Sequence, residues 1–166
     1  MVEFTPQEVF AVLDRHGVRY VLIGGLAAIL HGAPHLTTDV DIVPEDDRQN
    51  LERLSGALKE LNARIRVSGE PEGIPFDHSG ESLARARVWN LVTDRGNLDL
   101  TFVPSGTRGF DDLVRDVRPM VVRGIEVPVA SLADVIRSKE AAGRERDRLV
   151  LPALRRLLDE TERKRG

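Results

Sequence analysis

The sequence predicts an α/β (α+β) fold, a mixed β-sheet flanked by helices, and three patterns carry that prediction. A short β-branched run at 18–23 is followed at once by Gly24-Gly25 and a helical stretch. An acidic second strand is expected at 39–43, and later in the chain two pairs of apolar runs are split by turn residues, as in hairpins. Strands that alternate with helices early and pair as hairpins late fit a mixed sheet rather than a bundle or a sandwich. A length of 166 residues suits one domain, with a core over about 18–130 and a helical segment over about 131–162.

Each element has its own signal. The first helix is expected after Thr5, with Pro6 at its first position, Glu8 completing a capping box, and Val9, Phe10 and Leu13 as its apolar face. Gly17 suits the left-handed stop, and 18–23 is too short and too β-branched for a helix, so it reads as a buried strand. Residues 26–31 read as a short helix ended by Gly32 and Pro34, and Pro44 closes the strand at 39–43. Behind the acidic residues Glu45, Asp46 and Asp47, the leucines 51, 54, 58 and 61 recur at helical spacing. Residues 64–67 read as an edge strand. The stretch 68–80 holds Gly69, Pro71, Gly73, Pro75 and Gly80 among few apolar residues and reads as a flexible loop suited to substrate entry. The runs 88–93 and 98–103 around Asp94-Arg95-Gly96-Asn97 read as one hairpin, and 120–122 with 125–129 around Arg123-Gly124 as another. Ser131 with Asp134 starts a helix carrying Val135 and Ile136, and 149–158 reads as a final amphipathic helix.

Composition excludes several functions. With no cysteine there is no disulfide, thiolate nucleophile or cysteine zinc site, and a cytoplasmic location is the default. The most apolar segment, 21–30, is far short of the roughly 20 residues that span a bilayer. Glu3 and Glu8 stand where an export signal would be basic, so neither a membrane partner nor export is expected. The 24 basic and 27 acidic residues leave a net charge of −3, unlike the cationic body of a nucleic-acid coat. Residues 135–166 nevertheless carry +4 against −7 elsewhere, which allows an RNA-facing surface there, although one Trp, one Tyr and five Phe leave little for base stacking.

The acids are the informative residues. Asp39 and Asp41 are two apart on a strand, so they point to one face with Cα atoms ~6.5 Å apart. At ~5 Å in an effective dielectric near 20 the two charges repel by roughly 3 kcal/mol, and Val40 and Ile42 mark the strand as partly buried. A divalent cation would turn that repulsion into coordination. An isolated Asp-x-Asp is more often a pair of solvated turn formers; its setting here decides the reading. An EF-hand is excluded because Val43 and Pro44 fall where a calcium loop needs an oxygen ligand and a glycine. The four histidines, 16, 31, 35 and 78, form no helical metal pair, because Gly32 and Pro34 end the helix between His31 and His35. Asp99, between Leu98 and Leu100, is a third carboxylate; alone it is equally a hydrogen-bonded structural acid. With Asp39 and Asp41 it completes an oxygen-ligand cluster of the kind that holds Mg²⁺ beside a triphosphate. Gly24-Gly25, between strand and helix, offers backbone N–H groups to an anion, although alone it is equally a tight turn, and no P-loop or Gly-x-Gly-x-x-Gly pattern is present.

Taken together, these residues resemble the polymerase-β-like nucleotidyltransferase superfamily, whose pattern is a strand, Gly-Gly or Gly-Ser, about a dozen residues, then Asp-x-Asp and a later third acid. Here thirteen residues, 26 to 38, separate Gly25 from Asp39, and Asn97-Leu98-Asp99-Leu100 matches the third-acid strand. The runs Ile23-Gly24-Gly25-Leu26-Ala27-Ala28 and Thr37-Thr38-Asp39-Val40-Asp41-Ile42 are similar to the stand-alone bacterial branch. Val129-Ala130-Ser131-Leu132, Lys139 to Arg144 and Arg146-Asp147 are similar to the carboxy-terminal segment of AbiEii-type proteins, many of them toxins of toxin–antitoxin pairs. The chain departs from relatives that carry Arg four residues before the first aspartate, having His35 there, and Gly25 lacks the hydroxyl of Ser-bearing relatives.

The resemblance implies a Mg²⁺-dependent nucleotidyltransferase of the polymerase-β-like fold. Asp39 and Asp41 would hold two Mg²⁺ ions, Asp99 would bind the second and help remove the acceptor proton, and pyrophosphate would leave in line. Gly24 and Gly25 would meet the nucleoside triphosphate, and Lys139 would neutralise its oxygens. Arg144 and Asp147, at i, i+3, read as a surface pair worth roughly 0.2–0.5 kcal/mol. The acceptor would be a tRNA 3′ end, a protein or a small molecule, with an antitoxin as a further partner. The alternative is a nucleotide-binding or partner-binding module that keeps the fold and transfers nothing; three convergent carboxylates argue against it.

Overall fold

The computed structural model describes residues 3–166. The elements run α1 (Pro6–Arg15), β1 (Tyr20–Ile23), α2 (Gly24–Leu30), β2 (Asp39–Pro44), α3 (Arg48–Glu60), β3 (Arg64–Val67), β4 (Glu70–Ile74), α4 (Gly80–Leu83), β5 (Val88–Thr93) and β6 (Gly96–Thr101). Then follow α5 (Phe110–Leu113), a 3₁₀ turn (Val114–Asp116), β7 (Arg118–Val122), β8 (Ile125–Val129), α6 (Leu132–Ala142) and α7 (Glu145–Arg165). The eight strands form one sheet in the order β4-β3-β5-β6-β2-β1-β8-β7. β2 pairs with β6, and β1 with β8, in parallel; every other pair is antiparallel, so the sheet is mixed as the sequence predicts.

Burial along the strands explains how helices and sheet meet. All four residues of β1 are buried, the mark of a central strand covered on both faces. β2 and β6 alternate, with Val40, Ile42, Leu98 and Leu100 wholly buried and Asp39, Asp41, Asn97, Asp99 and Thr101 only partly so. The apolar face is closed by α4, held by Trp89 Nε1 donating to Leu83 O at 3.1 Å, and by α3 and α1 packed beside it. Helix α3 starts where the side chain of Asp47 accepts from Asn50 N at 2.8 Å and buries Leu51, Leu54 and Leu58. Asn50 ties it to the strands, accepting from Arg19 N at 2.7 Å and donating to Arg19 O and Glu45 O at 2.8 Å each. On the opposite face α2 packs on β1 and β2, α6 on α2, and α7 on α6. The face of β2 and β6 that carries the acids stays partly exposed.

Three local expectations are corrected. The stretch 68–80 is not one loop: residues 70–74 form β4, which pairs with β3, so β4 and not β3 is the edge, and only 75–79 before α4 is irregular. An outermost strand buries little, so Glu70, Pro71 and Glu72 suit it as well as apolar residues would. Its Gly73 has φ +76°, and a Cβ there would lie 2.6 Å from Val92 Cγ1 and 2.7 Å from Ile65 O. The Thr5–Glu8 capping box does not form. Instead Thr5 N donates to Arg95 O at 3.0 Å and Glu8 pairs with Arg95 at 3.0 Å. The last helix begins four residues earlier than expected, at Glu145, because Arg144 and Asp147 build its cap. Among the described residues no helix is long and apolar enough to cross a membrane.

Candidate active site

The parallel register of β2 and β6 sets Asp41 opposite Asp99 and Asp39 opposite Asn97. β5 then places Asn90 opposite Asp99. The three predicted acids therefore share one open patch of the sheet. Asp39 Oδ1 accepts from Asn97 Nδ2 at 3.0 Å, and Asp99 Oδ1 accepts from Arg66 Nη2 at 2.7 Å. The second nitrogen of Arg66, Nη1, donates to Leu91 O at 3.1 Å. Arg66 and Asn90 were not legible as site residues; each is ordinary in sequence, and only strand pairing brings it beside an acid, while Asn97, part of the third-acid strand, gains its role from the pairing with Asp39.

Crowded carboxylates resist ionisation. Burial first, then the charge of Asp99, a hydrogen bond donated to Asp99 and the charge of Asp39 push the Asp41 carboxyl up to about 7, while Arg144 opposes them. Burial also raises Asp99, against the pull of the Arg66 guanidinium. Among the described residues no group of three or more His, Cys, Asp or Glu side chains is gathered closely enough to hold a metal ion as it stands. Asp41 and Asp99 face one another while Asp39 is engaged by Asn97. The donor set itself, hard oxygens crowded by like charge, suits a hard divalent cation.

Gly24 abuts this patch. Its φ is +78°, and a Cβ would lie 2.3 Å from Asp41 Oδ2, so both backbone and space require glycine. A Cβ on Gly25 would lie 3.2 Å from Thr37 Oγ1 and 3.5 Å from His35 Nε2. The loop before β2 thus folds back over the Gly-Gly turn. Within it His35 Nδ1 is buried without a partner among the described residues, and Leu36 at the rim is 97% exposed.

Lys139 lies at the α6–α7 junction, where its Nζ is 3.3 Å from Asp147 Oδ1. Arg144 Nε donates to Asp147 Oδ2 at 2.8 Å and Arg144 N to the same oxygen at 3.3 Å. The sequence reading of Arg144 and Asp147 as a surface pair is corrected here: the Asp147 side chain is 1% exposed. Burial alone would raise its pKa, but Arg144 and Lys139 together outweigh that and hold it below the usual carboxylate range. The junction faces the acids closely enough for the Arg144 charge to act on Asp41.

Fold and acid patch together define the class: a nucleotidyltransferase fold. A Thermotoga maritima structure described as a nucleotidyltransferase aligns over 96% of this chain and 97% of its own, at 21% identity and a TM-score of 0.56. The lincosamide antibiotic adenylyltransferase LnuA, solved with lincomycin bound, aligns over 93% and 99%, at 17% identity and a TM-score of 0.59. No protein-family model and no curated protein matches the sequence.

Proposed function

We propose that the protein transfers a nucleoside monophosphate from a nucleoside triphosphate to an acceptor hydroxyl, with Mg²⁺ held by Asp39, Asp41 and Asp99. One observation carries this reading: Asp41 and Asp99 in register on adjacent parallel strands, with Asp39 on the same open face. Bound there, Mg²⁺ supplies charge neutralisation on the triphosphate and lowers the pKa of the attacking hydroxyl. The chain's own residues do the rest. Asp99, at the centre of the open face, accepts the proton of the acceptor hydroxyl. Gly24 and Gly25, in the turn next to Asp41, offer backbone N–H groups to the triphosphate. Lys139 and Arg144 set two positive charges at the junction beside the acid patch, and Asp147 fixes both.

The finer reading is the AbiEii-like branch, supported by the run Lys139, Arg144 and Asp147, which comes together in space. With it go a toxin role, an antitoxin partner, a cytoplasmic location and an acceptor that is a tRNA 3′ end, a protein or a small molecule. Melting the protein with Mg²⁺ and each nucleoside triphosphate tests the site: the pair should raise the Tm, and Asp39→Asn should abolish the rise. No rise with any of the four triphosphates at millimolar concentration would overturn the reading.

A further inference from the structure

We propose that Arg66 is the resident counter-ion of the cation site, and that a divalent cation binds by exchanging with it on Asp99. The inference rests on the proposed function and extends it to a residue that no motif includes. Two acids of the patch have side-chain partners from within the chain. Asn97 caps Asp39 at 3.0 Å, Asp41 stands in register with Asp99, and Arg66 closes the outer oxygen of Asp99 at 2.7 Å. A cation that used the same oxygen would stand beside a guanidinium of like charge, so the two compete for one place.

The geometry makes Arg66 the partner that leaves. Its side chain is 33% exposed against 13% for Asp99, so the guanidinium lies on the solvent side of the pair. It comes from β3, a four-residue strand with no fully buried residue, next to the exposed edge strand β4. Its departure opens no core. The second anchor, Leu91 O at 3.1 Å, keeps the guanidinium nearby after the exchange. The pair of Arg144 with Asp147 is built the other way, around a carboxylate 1% exposed, and has no such freedom. In the free protein Arg66 therefore offsets one negative charge of the acid patch, on Asp99, and holds cation affinity low until a triphosphate arrives with the cation.

Titrating the full chain with Mn²⁺ in the absence of nucleotide, and following free Mn²⁺ by electron paramagnetic resonance, tests the exchange. Arg66→Met, which keeps the stem and removes the charge, should tighten Mn²⁺ binding about tenfold. Arg66→Gln, which keeps a donor without the charge, should tighten it in the same direction and serves if the Met variant fails to fold by circular dichroism. Asp41→Asn marks the site and should lose the binding. If the unsubstituted protein binds Mn²⁺ and neither Arg66 variant binds it more tightly, the exchange is refuted while the cation site stands. If no form binds Mn²⁺, even with a triphosphate present, the cation site fails, and the proposed function with it.

Discussion

Asp41→Asn should stabilise the metal-free protein, and the gain should depend on pH. Burial, Asp99 and Asp39 all disfavour the charge of this carboxyl and push it up from its ordinary value of 3.8 to about 7. A folded-state pKa raised above the unfolded one means that the fold binds the proton more tightly, so stability is lost as pH rises from about 4 to about 7. At 1.36 kcal/mol per pH unit, a rise from 3.8 to about 7 corresponds to roughly 4 kcal/mol well above pH 7 and to less than half of that at pH 5. An asparagine carries no such charge and can still donate to Asp99. Urea unfolding in EDTA should therefore show Asp41→Asn more stable than the parent at pH 8, by an amount that shrinks toward pH 5. A variant less stable than the parent at pH 8, or one whose gain is the same at both pH values, would refute the electrostatic account of the patch.

Other substitutions test the supports. Gly24→Ala forces a Cβ into φ +78° and into Asp41 Oδ2, so urea melts should show a loss of at least about 1–2 kcal/mol together with lost Mn²⁺ binding; an unchanged melt would contradict the geometry. Asp147→Ala leaves Lys139, 11% exposed, without its carboxylate, and should cost about 3–5 kcal/mol in the same assay. The Asp147 pKa lies below its ordinary value, so its contribution is present above about pH 4 and lost as pH falls through the folded value. The parent's stability should therefore fall more steeply below pH 4 than that of the alanine variant.

The acids were legible because the period of a strand places Asp39 and Asp41 on one face and isolates Asp99 between two leucines, all within local sequence. The hairpin β5–β6 was legible for the same reason. Its apolar runs flank a turn. What the sequence withheld is long-range. Strand β4 has no apolar alternation because an edge strand needs none, so glycine and proline there read as a loop. Arg66 reaches Asp99 across 33 residues, through a register that depends on β3 pairing with β5. Arg144 and Asp147 were visible as a pair, but i, i+3 spacing is the same on a surface as in a core. Packing of α6 on α7 makes this one buried.

The most direct test of the central claim is label transfer. The protein, Mg²⁺ and each of the four nucleoside triphosphates carrying α-³²P are incubated with a cell extract, which is then separated into RNA, protein and small-molecule fractions beside Asp41→Asn and Asp99→Asn. Label entering one fraction with the parent protein, and with neither variant, is the expected result and names the acceptor class. Label in no fraction, or equal label with the substituted proteins, would contradict nucleotidyl transfer from this acid patch.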